Sequence, residues 1–236
     1  MRELIVAIDG PSGAGKSTLS RRLAKELGYV NINTGALYRT VALAATRKMV
    51  DLTDEAALGR LAREIIIEFV RPETGERVIF DGEDVSEAIR TPEISCLTSR
   101  ISAYPEVRRA LNELQRKLGS QGGVVLEGRD IGTVVFPQAE VKFFLSASAE
   151  ERGRRRNDEL KARGILVELE KTIAAVEARD AADSAREHAP LTQAADAMVI
   201  DSTAMSIEEV LQKMVTVVQQ RRRLAGLAEP VMELGR

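Results

Sequence analysis

Apolar residues form short runs and helical repeats that alternate along the chain. Residues 4–8 are an uninterrupted apolar run, which is typical of a strand buried on both faces. Leu19, Leu23 and Leu27 then recur every four residues on what we predict is a helix, and Gly28 follows as a helix-ending residue. This alternation of strand and helix signals predicts an α/β fold with a parallel sheet and right-handed crossovers.

The same two signals continue to the C-terminal part of the chain. We expect further core strands at 29–33, 124–127, 141–145 and 197–200, and helices at 34–49, 92–102, 106–118, from about 149, from about 166, and at 206–223. One region differs: apolar runs at 65–70 and 78–80 flank the turn residues 72–75, which predicts a small inserted antiparallel β subdomain at about 64–86. The tail 225–236 lacks periodicity, and we expect it to be loose.

Composition narrows the functional classes. The 236 residues are 44% hydrophobic and 30% charged with a net charge of -2, which describes an ordinary globular protein with room for a large core and a smaller satellite domain. The charge balance gives no basic field for nucleic acid, and the absence of Trp argues against a base-stacking surface. We therefore expect no nucleic-acid partner.

The cysteine count and the apolar runs bear on location. Cys96 is the only cysteine, so the chain cannot form an internal disulfide or a zinc cluster, and we expect this residue to fill a small packing position. No apolar run approaches 18 residues, and the first residues lead into a strand without a signal-peptide pattern. We expect a cytoplasmic protein without a membrane partner, and a monomer because no apolar stripe is left over after the core is built.

A phosphate-binding motif follows the first strand. Residues 10–17 match G-x-x-x-x-G-K-[ST] between a strand signal and a helix signal, a context that a glycine-rich turn with a chance lysine does not explain. Backbone N–H groups of such a loop face one concavity, Lys16 reaches the β- and γ-phosphates, and the Ser17 hydroxyl can ligate Mg²⁺. The residues expected to hold the polyphosphate are Gly10, Pro11, Ser12, Gly13, Ala14, Gly15, Lys16, Ser17 and Thr18.

Two arginines follow predicted strands. Arg39 lies just past a strand-to-helix turn, and Arg129 follows the strand at 124–127. In a parallel sheet both positions face the edge that carries the phosphate loop, where two guanidinium groups can bind a second phosphate bidentately. Taken singly, each arginine could equally be a surface ion-pair residue.

Two further clusters fall on single helical faces. Arg152, Arg155 and Arg156 share one face, where like charges repel and a polyanion would stabilise them, although a solvated basic face is an equal alternative. Arg179, Asp183 and Arg186 share another, either in a cleft or as ordinary ion pairs at a helix end. The second set follows the apolar positions of its helix directly, which places a polar end beyond a buried one.

The side-chain inventory indicates a reaction type. His188 is the only histidine, which excludes a multi-His metal site, and its place beside Ala189 and Pro190 at a predicted helix end favours a solvated or capping role over a catalytic triad. Transfer between two phosphates needs little acid–base chemistry, because a phosphate monoester has a second pKa of about 6 and is largely ionised at neutral pH. Alignment and charge neutralisation by Mg²⁺, lysine and arginine suffice. The inventory favours a phosphotransferase acting on a phosphorylated acceptor.

At this point the chain resembles the bacterial cytidylate kinases, of the nucleoside monophosphate kinase group. The matching stretches are 8–18, 34–39, 99–108, 127–137, 179–186 and 189–191. They occur in the family's order and cover nearly the whole chain. The phosphate loop is common to many proteins, whereas the stretch 127–137 is highly specific.

The resemblance implies transfer of a phosphoryl group from ATP, with Mg²⁺, to CMP or dCMP. It implies a core of 1–38 and 122–236, a nucleoside monophosphate domain of 39–121 enlarged by the β insert, and a lid of 150–165. The catalytic residues would be Lys16, Arg152, Arg155 and Arg156. Arg39, Arg129 and Arg186 would hold the acceptor phosphate, Arg179 and Asp183 the sugar, and Ser99, Arg108 and Asp130 the base.

Cytosine chemistry is consistent with the residues assigned to the base. Cytosine offers an N4 amino donor, which a carboxylate such as Asp130 can accept, while Arg108 can donate to its acceptors. Uracil would leave the buried carboxylate unpaired.

One position departs from the family's pattern. Asn33 stands where similar kinases carry Asp, so we expect it to cap the next helix and to contribute no charge to the metal site. Asp9 is either a metal ligand or a structural hydrogen-bonding residue.

Two other functions are open. A kinase of the same fold could act on UMP as well as CMP, on AMP or on shikimate. A nucleotide-dependent switch of the guanine type would carry an Asn-Lys-x-Asp stretch, which this sequence lacks.

Overall fold

The computed structural model describes residues 2–70 and 77–227. Its strands are β1 (Ile5–Asp9), β2 (Val30–Asn33), β3 (Ile67–Val70), β4 (Arg77–Phe80), β5 (Glu83–Asp84), β6 (Val124–Glu127), β7 (Val141–Ser146) and β8 (Met198–Asp201). Its α-helices are α1 (Lys16–Leu27), α2 (Thr34–Arg47), α3 (Glu55–Glu64), α4 (Pro92–Ile101), α5 (Pro105–Gly119), α6 (Ala149–Lys161), α7 (Leu169–Ser184) and α8 (Ile207–Leu224). A 3₁₀ turn covers Ala88–Arg90 and a π-helical turn Ile131–Val135.

The chain divides into two units, of which the first comprises Met1–Ile32 and Gly119–Arg236. Its sheet has the strand order β2-β6-β1-β7-β8, with β1 parallel to both β6 and β7, and β7 parallel to β8. The strand that precedes the phosphate loop is therefore central, as the fully apolar run predicts. The α/β prediction is confirmed.

The alternation of side chains along β1 divides the core of this unit into two layers. Val6 and Ile8 lie in one buried cluster with apolar residues of α1 and α8. Ile5 and Ala7 point to the opposite face, where they lie in a cluster with β6 and the π-helical turn. A strand covered on both faces holds the loop that follows it firmly, because neither face can move without opening a cavity.

The second unit is Asn33–Leu118. It contains the predicted β insert, in which β4 pairs antiparallel with both β3 and β5. The helix α3 was not predicted from the sequence, although Leu58, Leu61, Ala62 and Ile65 recur at helical spacing. Gly59 allows close packing, since a Cβ there would lie 2.6 Å from Cβ of Glu106.

Other predictions are corrected or fall outside the described residues. Cys96 is exposed on α4, so its assignment as a packing residue is wrong. The turn 72–75 and residues 228–236 of the tail lie outside the described residues, and within the tail Leu227 packs against the first unit's core. Among residues 2–70 and 77–227, no helix is long and apolar enough to span a bilayer.

Candidate active site

The loop between β1 and α1 adopts a conformation that requires glycine. Gly10 has φ of 144°, and a Cβ at this position would lie 2.1 Å from the carbonyl oxygen of Leu145. Gly15 has φ of 90° and precedes α1 without a side-chain cap. The first N–H groups of α1 and the positive end of its dipole are therefore free of a capping oxygen, as an anion-binding loop requires.

Lys16 lies inside this loop rather than in solvent. Its residue is 6% exposed, and Nζ donates a hydrogen bond to the carbonyl oxygen of Pro11 at 2.6 Å. Burial, followed by the positive charge of Arg129, holds the pKa of Lys16 well below its ordinary value, while Glu127 opposes this shift. A buried ammonium bound to this carbonyl is ready to exchange it for a phosphate oxygen.

Asp9, the last residue of β1, has a structural role directly before the phosphate loop. Its Oδ1 accepts a hydrogen bond from the N–H of Ile131 at 2.8 Å, and its Oδ2 accepts one from the N–H of Gly132 at 2.7 Å. Burial raises the pKa of Asp9 to about 6, although these two bonds lower it. Since both oxygens are engaged, the structural alternative for Asp9 is favoured over metal ligation. Its bonds hold the π-helical turn, which directly follows Arg129 and Asp130.

Asp183 forms ion pairs with two arginines in the first unit. Arg129 Nε donates to Asp183 Oδ2 at 2.9 Å, and Arg186 donates to Asp183 Oδ1. The Asp183 side chain is 2% exposed. Burial alone would raise the pKa of Asp183, but Arg129, Arg186 and Arg179 together hold it below its ordinary value. One carboxylate thus holds two guanidinium groups close to a third, and such a cluster of guanidinium groups suits a phosphate.

Arg179 is the third arginine of this cluster. Its Nε is buried and has no hydrogen-bond partner within residues 2–70 and 77–227. Burial, then Arg129, lowers the pKa of Arg179 to about 10, and Arg156 contributes in the same direction. An unpaired buried donor is costly without a ligand, so this position favours binding of an acceptor group.

The arginine face of α6 differs from the prediction. Arg152 pairs with Asp180, Arg155 with Glu151 at 2.9 Å, and Arg156 with Glu159 at 2.9 Å. The expected uncompensated repulsion is therefore wrong, since each guanidinium has a carboxylate partner.

Two of these arginines also reach other segments. Arg155 donates to the backbone oxygen of Ser202 at 2.7 Å, and Arg152 to that of Ser12 at 3.0 Å. Arg152 thus touches the phosphate loop itself, which the sequence did not reveal.

Two further predicted residues of the first unit, Asp130 and Ser17, lie at or next to the first residues of helical elements. Asp130 is 5% exposed and directly precedes the π-helical turn, an element that is rare and often found at functional sites. Ser17 is exposed in the first turn of α1.

Three predicted residues belong to the second unit. Arg39 lies on α2, and its guanidinium packs over Gly35. A Cβ on Gly35 would lie 3.2 Å from Nη1 of Arg39. Arg108 is buried, donates to the carbonyl oxygen of Ser102 at 3.0 Å, and lies over the ring of Tyr38. Ser99 is half-buried on α4. Asn33 caps α2 as predicted, accepting from the N–H of Ala36 at 2.9 Å.

Sequence reasoning missed Asp180. Its carboxylate accepts from the N–H of Ser12 at 3.0 Å and pairs with Arg152. The only signal was its position next to Arg179, and a single acidic residue on a helix rich in acidic residues does not stand out. Its contacts arise from tertiary packing of α7 against the loop.

Comparison with known proteins agrees with this arrangement. A family model described as cytidylate kinase matches residues 6–220. A cytidylate kinase from Syntrophotalea carbinolica is 64% identical over 94% of this chain and 95% of its own. Those from Geobacter sulfurreducens and Pelotomaculum thermopropionicum are 61% and 51% identical, over 94% and 92% of this chain and 95% and 97% of their own. This chain belongs to the cytidylate kinase family.

Proposed function

We propose that this protein transfers the γ-phosphoryl group of ATP to CMP or dCMP, giving ADP and CDP or dCDP. The observation that carries the proposal is the cluster of arginines around Asp183, in the same unit as the buried Lys16. The named activity of relatives that match nearly the full chain supports the choice of cytidine nucleotides.

The donor half of the mechanism follows from the loop. Its open N–H groups bind the phosphates of ATP, and Lys16 exchanges the carbonyl of Pro11 for oxygens of the β- and γ-phosphates. The phosphoryl group gains negative charge on its oxygens during transfer, and a fixed ammonium in a water-poor loop stabilises that charge without reorganising.

The acceptor half follows from the arginine cluster. Arg129 and Arg186, held in place by Asp183, bind the phosphate of CMP, while Arg179 with Asp183 binds the sugar. Two guanidinium groups on one phosphate reduce its charge repulsion with the incoming phosphoryl group. The acceptor oxygen is already largely ionised, because the second pKa of a phosphate monoester is about 6. No side chain needs to remove a proton.

The proposal assigns roles to further residues by family resemblance. The second unit acts as the nucleoside monophosphate domain, in which Arg39 contacts the acceptor phosphate and Ser99 and Arg108 contact the base. Asp130 accepts from the cytosine N4 amino group. Residues 150–165 act as a lid, from which Arg155 and Arg156 neutralise the transferring group. Arg152, which the resemblance also implies to be catalytic, is instead engaged with Asp180 and the backbone of Ser12.

In this proposal, Mg²⁺ binds together with ATP, the phosphoryl donor. Mg²⁺ keeps several waters and takes few protein ligands besides substrate phosphates. The exposed hydroxyl of Ser17 fits that demand, whereas Asp9 does not, because both of its oxygens bind backbone N–H groups. When bound with ATP, the ion would supply positive charge to the phosphate oxygens.

We also place the protein in the cytoplasm as a monomer. A single exposed thiol fits a reducing compartment, because no intramolecular disulfide has to form. Light scattering coupled to size exclusion tests the oligomeric state.

The deciding experiment is a titration of CMP into the protein with Mg·ATP. We expect ADP and CDP in equal amounts, each limited by the CMP supplied. UMP, AMP and shikimate are tested in parallel. Faster turnover on AMP or shikimate would replace the proposed acceptor, and ATP hydrolysis without need of any acceptor would favour a nucleotide switch.

A further inference from the structure

An ion pair between Asp180 and Arg152 holds the phosphate loop at Ser12. Asp180 on α7 accepts from the N–H of Ser12 at 3.0 Å through Oδ1, and its Oδ2 accepts from Nη1 of Arg152 on α6. The same Nη1 donates to the carbonyl oxygen of Ser12 at 3.0 Å. Both backbone polar groups of Ser12 are therefore bound, which fixes the orientation of the two peptide planes on either side of it.

The pair is itself well anchored. The Arg152 side chain is 9% exposed, that of Asp180 is 16% exposed, and Nε of Arg152 donates to the carbonyl oxygen of Ala147 at 2.9 Å. At the next loop residue, a Cβ on Gly13 would lie 2.9 Å from the carbonyl oxygen of Arg152. The loop and α6 are thus in direct backbone contact, and the ion pair lies at this contact.

The position of Asp180 on α7 connects it to the acceptor residues. It directly follows Arg179, and Asp183, which holds Arg129 and Arg186, comes one helical turn later. One helix therefore carries both the carboxylate that sets the phosphate loop and the residues proposed for the acceptor.

We propose that Asp180 is a positioning residue that holds the backbone conformation of the phosphate loop through Ser12. The main role of Arg152 is to neutralise the Asp180 carboxylate. The inference rests on the proposed function only in that ATP occupies the loop. A carboxylate beside a polyphosphate would repel it, so the loop can use Asp180 as an acceptor only while Arg152 balances its charge.

A double-mutant cycle tests whether the need for Arg152 depends on the charge of Asp180. Arg152→Met leaves the Asp180 carboxylate unbalanced, and we expect the Kd for Mg·ATP to rise ~100-fold. Asp180→Asn keeps one oxygen for the Ser12 N–H, and we expect a rise of ~10-fold. Asp180→Asn combined with Arg152→Met should also give a rise of only ~10-fold, instead of the ~1000-fold of independent effects.

The measurement is ATP binding by calorimetry without any acceptor, together with the melting temperature of each variant. Glu177→Gln is the matched control, since Glu177 lies exposed on the same helix, and its Kd should stay at the wild-type value. Arg152→Lys is a second variant that keeps the positive charge, and we expect its Kd to rise no more than ~3-fold.

The outcomes separate this inference from the proposed function. Additive losses in the cycle, or a Kd unchanged by Asp180→Asn, would overturn the role of Asp180, even if the melting temperature falls. Loss of binding in Arg152→Lys equal to that in Arg152→Met would overturn the neutralising role of Arg152. If the double variant shows the rescue but the wild-type protein does not phosphorylate CMP, only the proposed acceptor is overturned.

Discussion

Asp183 Oδ2 accepts from Arg129 Nε at 2.9 Å, joining residues 54 positions apart in the chain. Asp183 comes from the last turn of α7, and Arg129 from the segment after β6. The same carboxylate binds Arg186, so a single buried negative charge fixes two guanidinium groups that would otherwise repel each other. The relationship links the stability of the fold to the position of the proposed phosphate ligands.

Replacing Asp183 should therefore affect stability and acceptor binding together. For Asp183→Asn we expect the free energy of unfolding to fall by about 3 kcal/mol, because two largely buried guanidinium groups lose the carboxylate that they share. The KM for CMP should rise ~100-fold, while the KM for ATP changes little. Urea unfolding and steady-state kinetics measure the two effects.

Sulfate offers an internal control for this prediction. An anion can take the place of the missing charge among the guanidinium groups, so sulfate should raise the melting temperature of Asp183→Asn more than that of the wild type. Glu177→Gln should respond to sulfate as the wild type does. Equal responses of all three proteins would contradict the charge explanation.

Asp130 provides the prediction on base choice. For Asp130→Ala we expect the ratio of kcat/KM for CMP over UMP to fall by at least ~10-fold, because the acceptor proposed for the N4 amino group is gone and uracil no longer leaves a carboxylate unpaired. Steady-state kinetics with both nucleotides gives the ratio. A ratio equal to that of the wild type would exclude Asp130 from reading the base.

Local patterns in the sequence predicted what local physics determines. The apolar run of β1, the spacing of Leu19, Leu23 and Leu27, and the glycine-rich loop each follow from neighbouring residues, and the structure contains them as predicted. Arg186 does pair with Asp183, but α7 ends at Ser184, so the prediction that Arg186 shares a helical face with Arg179 and Asp183 is wrong.

Contacts set by tertiary packing could not be predicted in this way. The spacing of Arg152, Arg155 and Arg156 indicated a shared basic face, but it could not show that Asp180 approaches one of them from another helix. Likewise, the sequence left the role of Asp9 open, because its two partners are backbone N–H groups more than 120 residues away. Backbone donors carry no sequence signal.

Asp9 yields a prediction on pH dependence. Burial raises the pKa of Asp9 from 3.8 to about 6, so the folded state holds its proton more tightly than the unfolded state does. The corresponding stability is present below pH 3.8 and is lost as pH rises through about 6. The difference in unfolding free energy between the wild type and Asp9→Asn should therefore change by roughly 2 kcal/mol between pH 4 and pH 7, in favour of the variant as pH rises.

Urea unfolding of both proteins across this pH range measures the difference. The variant also has a constant cost, independent of pH, because the amide NH2 that replaces one carboxylate oxygen cannot accept the hydrogen bond which that oxygen accepts. Asp158→Asn, an exposed carboxylate on α6, should show no comparable trend. A difference between the wild type and Asp9→Asn that stays flat from pH 4 to pH 7 would contradict the raised pKa.

Lys16 should show a conflict between stability and activity. Burial, followed by Arg129, lowers the pKa of Lys16, so the ligand-free fold bears a cost for this ammonium. For Lys16→Met we expect kcat to fall by at least ~10³-fold, and the ligand-free protein at pH 7 to gain about 1–2 kcal/mol in unfolding free energy. That gain should shrink as pH rises towards 10.5, because the unfolded wild type then loses its proton as well. A variant that is inactive and also less stable at every pH would show that Lys16 stabilises the empty loop, through its bond to Pro11, more than burial penalises it.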